Sequence, residues 1–367
     1  MMAFMSDPRS RAAAFCDRFG IRVPILLAPM AGACPPSSSI AAMRAGGFGA
    51  CAALLMQPKE IEDWAAEVRA NVDGSFQINL WIPDPPPVRD RSHEARVREF
   101  LSHWGPPVPE DAGDIALPNF DEQCQALLRI APAAVSSIMG LYPPPFVGEL
   151  KSRRIPWFAT ATTVADAKKA EAAGADVIIA QGMEAGGHRG GFDAIKAEQQ
   201  LVGLFALVPA IVDAVRIPVV AAGGIADGRG VAAALMLGAS AAIMGTAFLR
   251  CPETKVHPAW ADALANTTPE RAILSRAFTG KPGRSIATDY ARAALGADAP
   301  APAPYPVQRG LTTPMRLEAQ KTGDVQRMQA WAGQSAALAR AESASIITKR
   351  VWSEAQALLP KTVVDRH

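Results

Sequence analysis

Eight short apolar runs begin near Ile25, Phe48, Phe76, Ala134, Trp157, Val177, Val219 and Ala241, and each is followed by a helical pattern. Strand and helix in strict alternation is the sequence form of an α/β fold with a parallel sheet, and eight repeats of the unit predict a (β/α)8 TIM barrel. The helices show as alanine-rich amphipathic runs, Ile61 to Ala70, Val164 to Ala173 and Gly230 to Leu237 among them, with Gly174 and Gly238 placed as helix stops. Residues 20–250 then make the barrel.

Two regions exceed the barrel rhythm. The interval from Pro83 to Phe120 carries Pro85-Pro86-Pro87 and Pro106-Pro107-Val108-Pro109 around a helix predicted from His93 to Trp104. It is too long for a βα loop, so an insertion of about 83–120 after strand 3 is expected over the barrel mouth. After the eighth strand, 251–367 form a mainly helical C-terminal extension expected to pack on the barrel. Within it, Ala299 to Pro306 has proline at every second position and reads as an extended connector. Thr313 to Arg340 is expected to be mostly helical with a break at Gly333, and the tail is expected to bring Tyr305 or Arg309 near the site.

Composition narrows the function. A chain of 367 residues, 49% apolar and 20% charged, buries a large core. Its net charge of +2 contains no basic block, which argues against nucleic acid or an anionic membrane surface as partner. Cys16, Cys34, Cys51, Cys124 and Cys251 are scattered without C-x-x-C spacing, which fits a reducing cytoplasm and neither a disulfide framework nor a structural zinc. His93, His103, His188, His257 and His367 show no metal-ligand spacing, so no metal is expected. Met1 to Gly20 lacks the apolar core of a secretory signal, and no run is long enough to span a bilayer.

Chemistry concentrates at three strand ends. Asp176-Val177-Ile178-Ile179 runs into Ala180-Gln181-Gly182-Met183-Glu184-Ala185-Gly186-Gly187-His188-Arg189-Gly190-Gly191-Phe192, which sets a titratable imidazole in a glycine-dense loop. The strand at Val219 ends in Gly223-Gly224 ahead of a capped helix, and the strand at Ala241 ends in Gly245-Thr246. Loops after strands seven and eight of such barrels commonly bind phosphate through backbone N–H groups. Met30, Asn79, Gln181, His188, Gly224 and Thr246 would meet at one mouth. That set suits flavin mononucleotide (FMN), with its phosphate on Gly223, Gly224, Gly245 and Thr246, polar ring contacts from Asn79 and Gln181, and the ring against Ala28-Pro29-Met30. Composition alone does not separate flavin phosphate from a sugar phosphate, and no strand-end lysine supports pyridoxal phosphate.

Further segments carry a resemblance. Ile25 to Gly32, Ile78-Asn79-Leu80, Thr160-Ala161-Thr162-Thr163, Gln181 to Gly190, Ala222 to Arg229, Met244-Gly245-Thr246, Tyr305-Pro306-Val307-Gln308 and Trp331-Ala332-Gly333-Gln334 resemble the successive motifs of the nitronate monooxygenases, formerly 2-nitropropane dioxygenases. The resemblance implies an FMN-containing barrel that oxidises alkyl nitronates or nitroalkanes with O2 to carbonyl compounds and nitrite. It implies Pro29, Met30, Gly186, Gly187 and Met244 as further cofactor contacts, and His188 as general base or anion-orienting donor. The Glu184 to His188 run also resembles FMN-dependent enoyl-acyl-carrier-protein reductases. An NADH:quinone reductase and a non-catalytic flavin-binding protein remain open on the same barrel. The sequence leaves oligomeric state undetermined.

Overall fold

A computed structural model describes residues 7–360. The first six residues of the amino-terminal stretch, and His367, lie outside them. Eleven strands follow in chain order: β1 Ile25–Leu27, β2 Gly49–Ala52, β3 Phe76–Trp81, β4 Ala134–Ile138, β5 Trp157–Ala161, β6 Val177–Gln181, β7 Gly187–His188, β8 Val219–Ala222, β9 Ala241–Met244, β10 Ala272–Ser275 and β11 Gly283–Ile286. Eight of them, in the order β1-β9-β8-β6-β5-β4-β3-β2, form one sheet whose paired neighbours are all parallel. A parallel bridge between Leu26 and Phe48 joins its two ends. The expected (β/α)8 barrel is therefore present, with its strands where the apolar runs begin.

The side chains explain the closure. Alternate residues point inward, and Leu26, Phe48, Phe158, Val177, Val220 and Ala241 fill the lower barrel. The helix Pro8–Phe19 plugs that end: Asp7 accepts from the Ser10 N–H at its start, Gly20 with φ 63° stops it, and Phe19 meets Phe158 edge-on at 5.0 Å. Burial of such a ring contributes roughly 1.5–3 kcal/mol. With the bottom sealed by aromatics, the strands' carboxyl ends hold the open mouth.

Between β3 and the helix Phe120–Ile130, the chain crosses that mouth. The helix Arg91–Ser102 starts on an Asp90 cap and buries Val97 and Leu101 against Phe278, Tyr290, Leu311 and Met315 from the C-terminal extension. Buried Glu94 accepts two charge-assisted hydrogen bonds from Arg89, at 2.5 and 2.6 Å. The excursion and the extension thus share a small second core above the barrel.

The extension itself is mixed. β10 and β11 form an antiparallel hairpin, and β11 also pairs with β7, the strand that carries His188. The helix expected from Thr313 to Arg340 is shorter: it spans Thr313–Thr322 and ends at Gly323, whose φ of 72° suits a left-handed cap. The following residues up to Ser343 are mainly turns and irregular chain, because their backbone bonds to other elements such as β11: Ile286 N–H donates to Ala330 O, and Ala332 N–H to Arg284 O. The final helix, Ala344–Leu358, packs between the helices Gly228–Met236 and Pro36–Arg44 and so occupies the eighth helix position of the ring. A Cβ on Gly228 would lie 2.2 Å from the Glu354 Cβ, so glycine permits this close approach.

Candidate active site at the barrel mouth

A cavity of about 570 Å³ opens at the strands' carboxyl ends, within the usual range for small-molecule sites. Pro29, Met30, Asn79, Gln181, Gly186, Gly187, His188, Gly223, Gly224, Gly245 and Thr246 all line it. Met244 does not: its side chain is buried in the outer core, and its carbonyl accepts from the Ala28 N–H at 2.9 Å. The lining holds Lys255, Arg309 and Arg316 but no aspartate or glutamate. An electropositive wall in a partly desolvated cleft selects for anions.

One end is made of backbone. Gly223 and Gly224 have φ of 114° and 67°, a conformation that turns the chain back sharply after β8. No hydrogen bond from the N–H of Gly223, Gly224 or Gly245 is present among the described residues. Thr246 Oγ1 accepts from the Gly333 N–H at 2.9 Å, which leaves its own hydroxyl hydrogen free to donate. Donors without an acceptor, gathered on one concave wall, suit an anion with several oxygens.

The other end is made of side chains. His188 sits between two indoles, with ring centroids 4.6 Å from Trp81 and 4.8 Å from Trp331, both edge-on. Its Nε2 lies 2.8 Å from Thr279 Oγ1, so the threonine fixes the ring and leaves Nδ1 for another partner. Burial, then the charges of Lys281 and Arg309, push the imidazole's pKa down to about 3. It is therefore neutral in the open pocket at physiological pH. Tyr305 stands 5.6 Å from Trp81 with its hydroxyl buried and without a hydrogen-bond partner, and burial pushes that hydroxyl's pKa up to about 12. It remains a donor. Lys281 pairs with Asp84 at 2.5 Å, whereas no hydrogen bond or ion pair from the Arg309 guanidinium is present among the described residues.

The glycine-dense loop between these ends is built differently from its sequence reading. Of Gly186, Gly187, Gly190 and Gly191, only Gly187 has positive φ, at 71°. The others supply space: a Cβ on Gly186 would lie 2.5 Å from the Gly333 backbone N, and one on Gly190 would lie 2.8 Å from the Ile138 side chain. Gln181 lines the cavity but staples this loop as well, since its Nε2 donates to His188 O at 3.0 Å and its Oε1 accepts from Gly190 N–H at 2.8 Å. Beneath it, buried Arg189 donates to Gln181 O and Gly182 O.

Known proteins resolve which barrel this is. The family model described as nitronate monooxygenase matches residues 14–353. The chain belongs to the nitronate monooxygenase family. A nitronate monooxygenase of Paraburkholderia phytofirmans is 37% identical over 91% of this chain and 93% of its own; one of Pseudomonas aeruginosa is 35% identical over 92% and 99%. A nitroalkane oxidase structure from Streptomyces ansochromogenes covers 95% of this chain and 100% of its own, with TM-score 0.85 and 34% identity. The chain is accordingly an enzyme of the oxidoreductase class.

Several residues around the site were not singled out from the sequence. Trp81 had a usable signal, because it lies two residues beyond Asn79 on β3 and so shares its inward face. Thr279 and Lys281 had none: they follow β10 in a hairpin that reaches His188 only through pairing of β11 with β7. No helix among the described residues is long and apolar enough to cross a membrane, and no group of three metal-ligating side chains is present among them.

Proposed function

We propose that this enzyme oxidises alkyl nitronates with O2, giving a carbonyl compound and nitrite, and that FMN is its cofactor. The observation that carries the reading is the two-ended cavity with no carboxylate on its wall, unpaired backbone donors at one end and a neutral imidazole flanked by Tyr305 and Arg309 at the other. The residues suit FMN. Gly223, Gly224, Gly245 and Thr246 would hold its phosphate, and Asn79, with Nδ2 donating to Ser136 Oγ at 3.0 Å, keeps an amide oxygen for the ring. Pro29 and Met30 would support one ring face, and Gly186 and Gly187 would let the β6 loop approach closely. When bound, FMN supplies the electron transfer and the reaction with oxygen.

The protein's own part is to bind and orient the substrate. An imidazole held near 3 is a poor acceptor for a carbon-bound proton. The same imidazole becomes a good partner once a nitronate anion arrives, because the anion favours its protonated form and turns it into a donor. We therefore read His188, the Tyr305 hydroxyl and Arg309 as groups that hold the nitro oxygens, with the preformed nitronate as the better substrate. Trp81 and Trp331 keep water from the imidazole's faces, which strengthens each of those contacts.

Anaerobic mixing of the purified, coloured protein with propionate 3-nitronate, and separately with NADH, tests the reading. Loss of the oxidised flavin absorbance with the nitronate alone is expected. Rapid loss with NADH alone would instead indicate a reductase, and a colourless protein that cannot be loaded with FMN would remove the flavin reading. His188→Asn should retain FMN and lose activity toward nitronate and nitroalkane alike. Selective loss of nitroalkane oxidation would restore the general-base role.

A further inference from the structure

The two ends of the cavity are tied together by one stretch of the C-terminal extension. From Trp331 to Ser335 the chain crosses three strand-end loops in five residues. The Gly333 N–H donates to Thr246 Oγ1 at 2.9 Å after β9, and the Gln334 N–H to Glu184 O at 2.9 Å after β6. The Ser335 hydroxyl donates to Gly224 O after β8. At the other end, the Trp331 ring contacts His188, rests over Gly283, where a Cβ would lie 2.8 Å from it, and has its carbonyl held by Trp260 Nε1 at 3.2 Å. Trp331, Gly333 and Ser335 all line the cavity.

We propose that 331–335 act as a strap that keeps the anion cradle and the imidazole pocket in register, with Ser335 as a positioning residue for the bound cofactor. The inference rests on the FMN reading above. Ser335 is the informative tie. Its hydroxyl holds the carbonyl of Gly224, a glycine at φ 67° whose N–H is one of the cradle's unpaired donors. The held carbonyl lies in the Gly224–Ile225 peptide, so removing the tie loosens φ and ψ of Gly224, and the N–H on the other side of its Cα must be ordered again each time the cofactor binds. The strap's other end turns the same looseness into a less fixed Trp331 beside His188.

Ser335→Ala, Ser335→Thr and the parent protein, each as the full chain, would be stripped of FMN, reloaded by titration and melted with and without it. The expected result for Ser335→Ala is an FMN Kd raised about five- to tenfold, as the cost of ordering the loosened Gly224 moves from folding to the binding step. Its melting temperature without FMN should match the parent's, while the rise caused by FMN shrinks. At saturating FMN the nitronate KM should rise roughly two- to threefold with kcat held, and Ser335→Thr should restore all of these. An unchanged Kd and KM, or an equal fall in melting temperature with and without FMN, would overturn the strap. A parent protein that binds no FMN would overturn the cofactor reading along with it. Parent binding with an unaffected Ser335→Ala would remove only the strap.

Discussion

On the proposed reading, the two ends of the cavity hold an anion by opposite means. The cradle uses main-chain N–H groups of Gly223, Gly224 and Gly245, each within a residue or two of the strand that positions it. The imidazole pocket uses side chains from four places: Trp81 at the end of β3, His188 on β7, Thr279 and Lys281 in the hairpin, and Tyr305, Arg309 and Trp331 farther along the extension. Main-chain donors are preorganised by the strand they follow, and no substitution except proline removes them. Side chains can be tuned, but each must be packed into place by its neighbours. The cradle should therefore govern cofactor retention and the pocket should govern turnover, with little crossover.

His188→Asn is the largest expected break in that pattern. Removal of the imidazole should lower kcat/KM for a preformed nitronate roughly 10²–10³-fold, the scale of losing a well-placed donor to developing charge. FMN affinity should stay within about twofold, as measured by fluorescence titration. Equal loss of cofactor would mean that the two ends are one unit.

The converse is Gly186→Ala. A Cβ there meets the Gly333 backbone N at 2.5 Å and the Ala332 carbonyl carbon at 2.7 Å, neither of which is a flexible side-chain end. Overpacking against backbone costs about 1–3 kcal/mol, so FMN Kd should rise roughly 10–100-fold while turnover per bound cofactor is mostly kept. Thr279→Val sharpens the comparison on the other side. Its loss frees Nε2 of His188 and should reduce kcat/KM about tenfold, one neutral hydrogen bond's worth, without moving FMN affinity. A Thr279→Val enzyme with parent kinetics would show that the indoles alone hold the ring.

This contrast also explains what the chain's sequence reveals. The barrel is legible because its signal is local: an apolar run followed closely by a helix recurs along the chain, and Gly174 and Gly238 do stop helices, with φ of 99° and 106°. The cradle is legible for the same reason. The glycines of the β6 loop are visible but misleading, since Gly186 and Gly190 are needed for space and the groups that occupy it, Gly333 and Ile138, come from elsewhere in the chain. The strap and the eighth helix are the least legible parts. Ala332-Gly333-Gln334 has no period of its own, and its Gly333 and Gln334 are held by bonds to loops more than eighty residues away in sequence, such as Gly333 to Thr246.

The smallest expected effect is the most specific to the indole-flanked pocket. The folded protein holds His188 near 3, against an ordinary value of 6.5, so between those two pH values the unfolded chain binds a proton that the folded chain refuses. This group's contribution to stability is thus fully present above pH 6.5 and is lost as pH falls from 6.5 toward 3, at up to about 1.4 kcal/mol per pH unit. In a protein of this size, that is about 1–2 °C in melting temperature per unit. The difference in melting temperature between the parent and His188→Asn should therefore change with pH over that range and be constant above pH 7. Carboxylates held low by arginines, such as Glu94 beside Arg89, titrate in both proteins and cancel in the difference. A nitronate analogue bound beside His188 should shrink the parent's slope, because the anion returns to the imidazole the proton affinity that burial removed. A slope indifferent to the anion would place the substrate away from His188 and break the division of labour at its side-chain end.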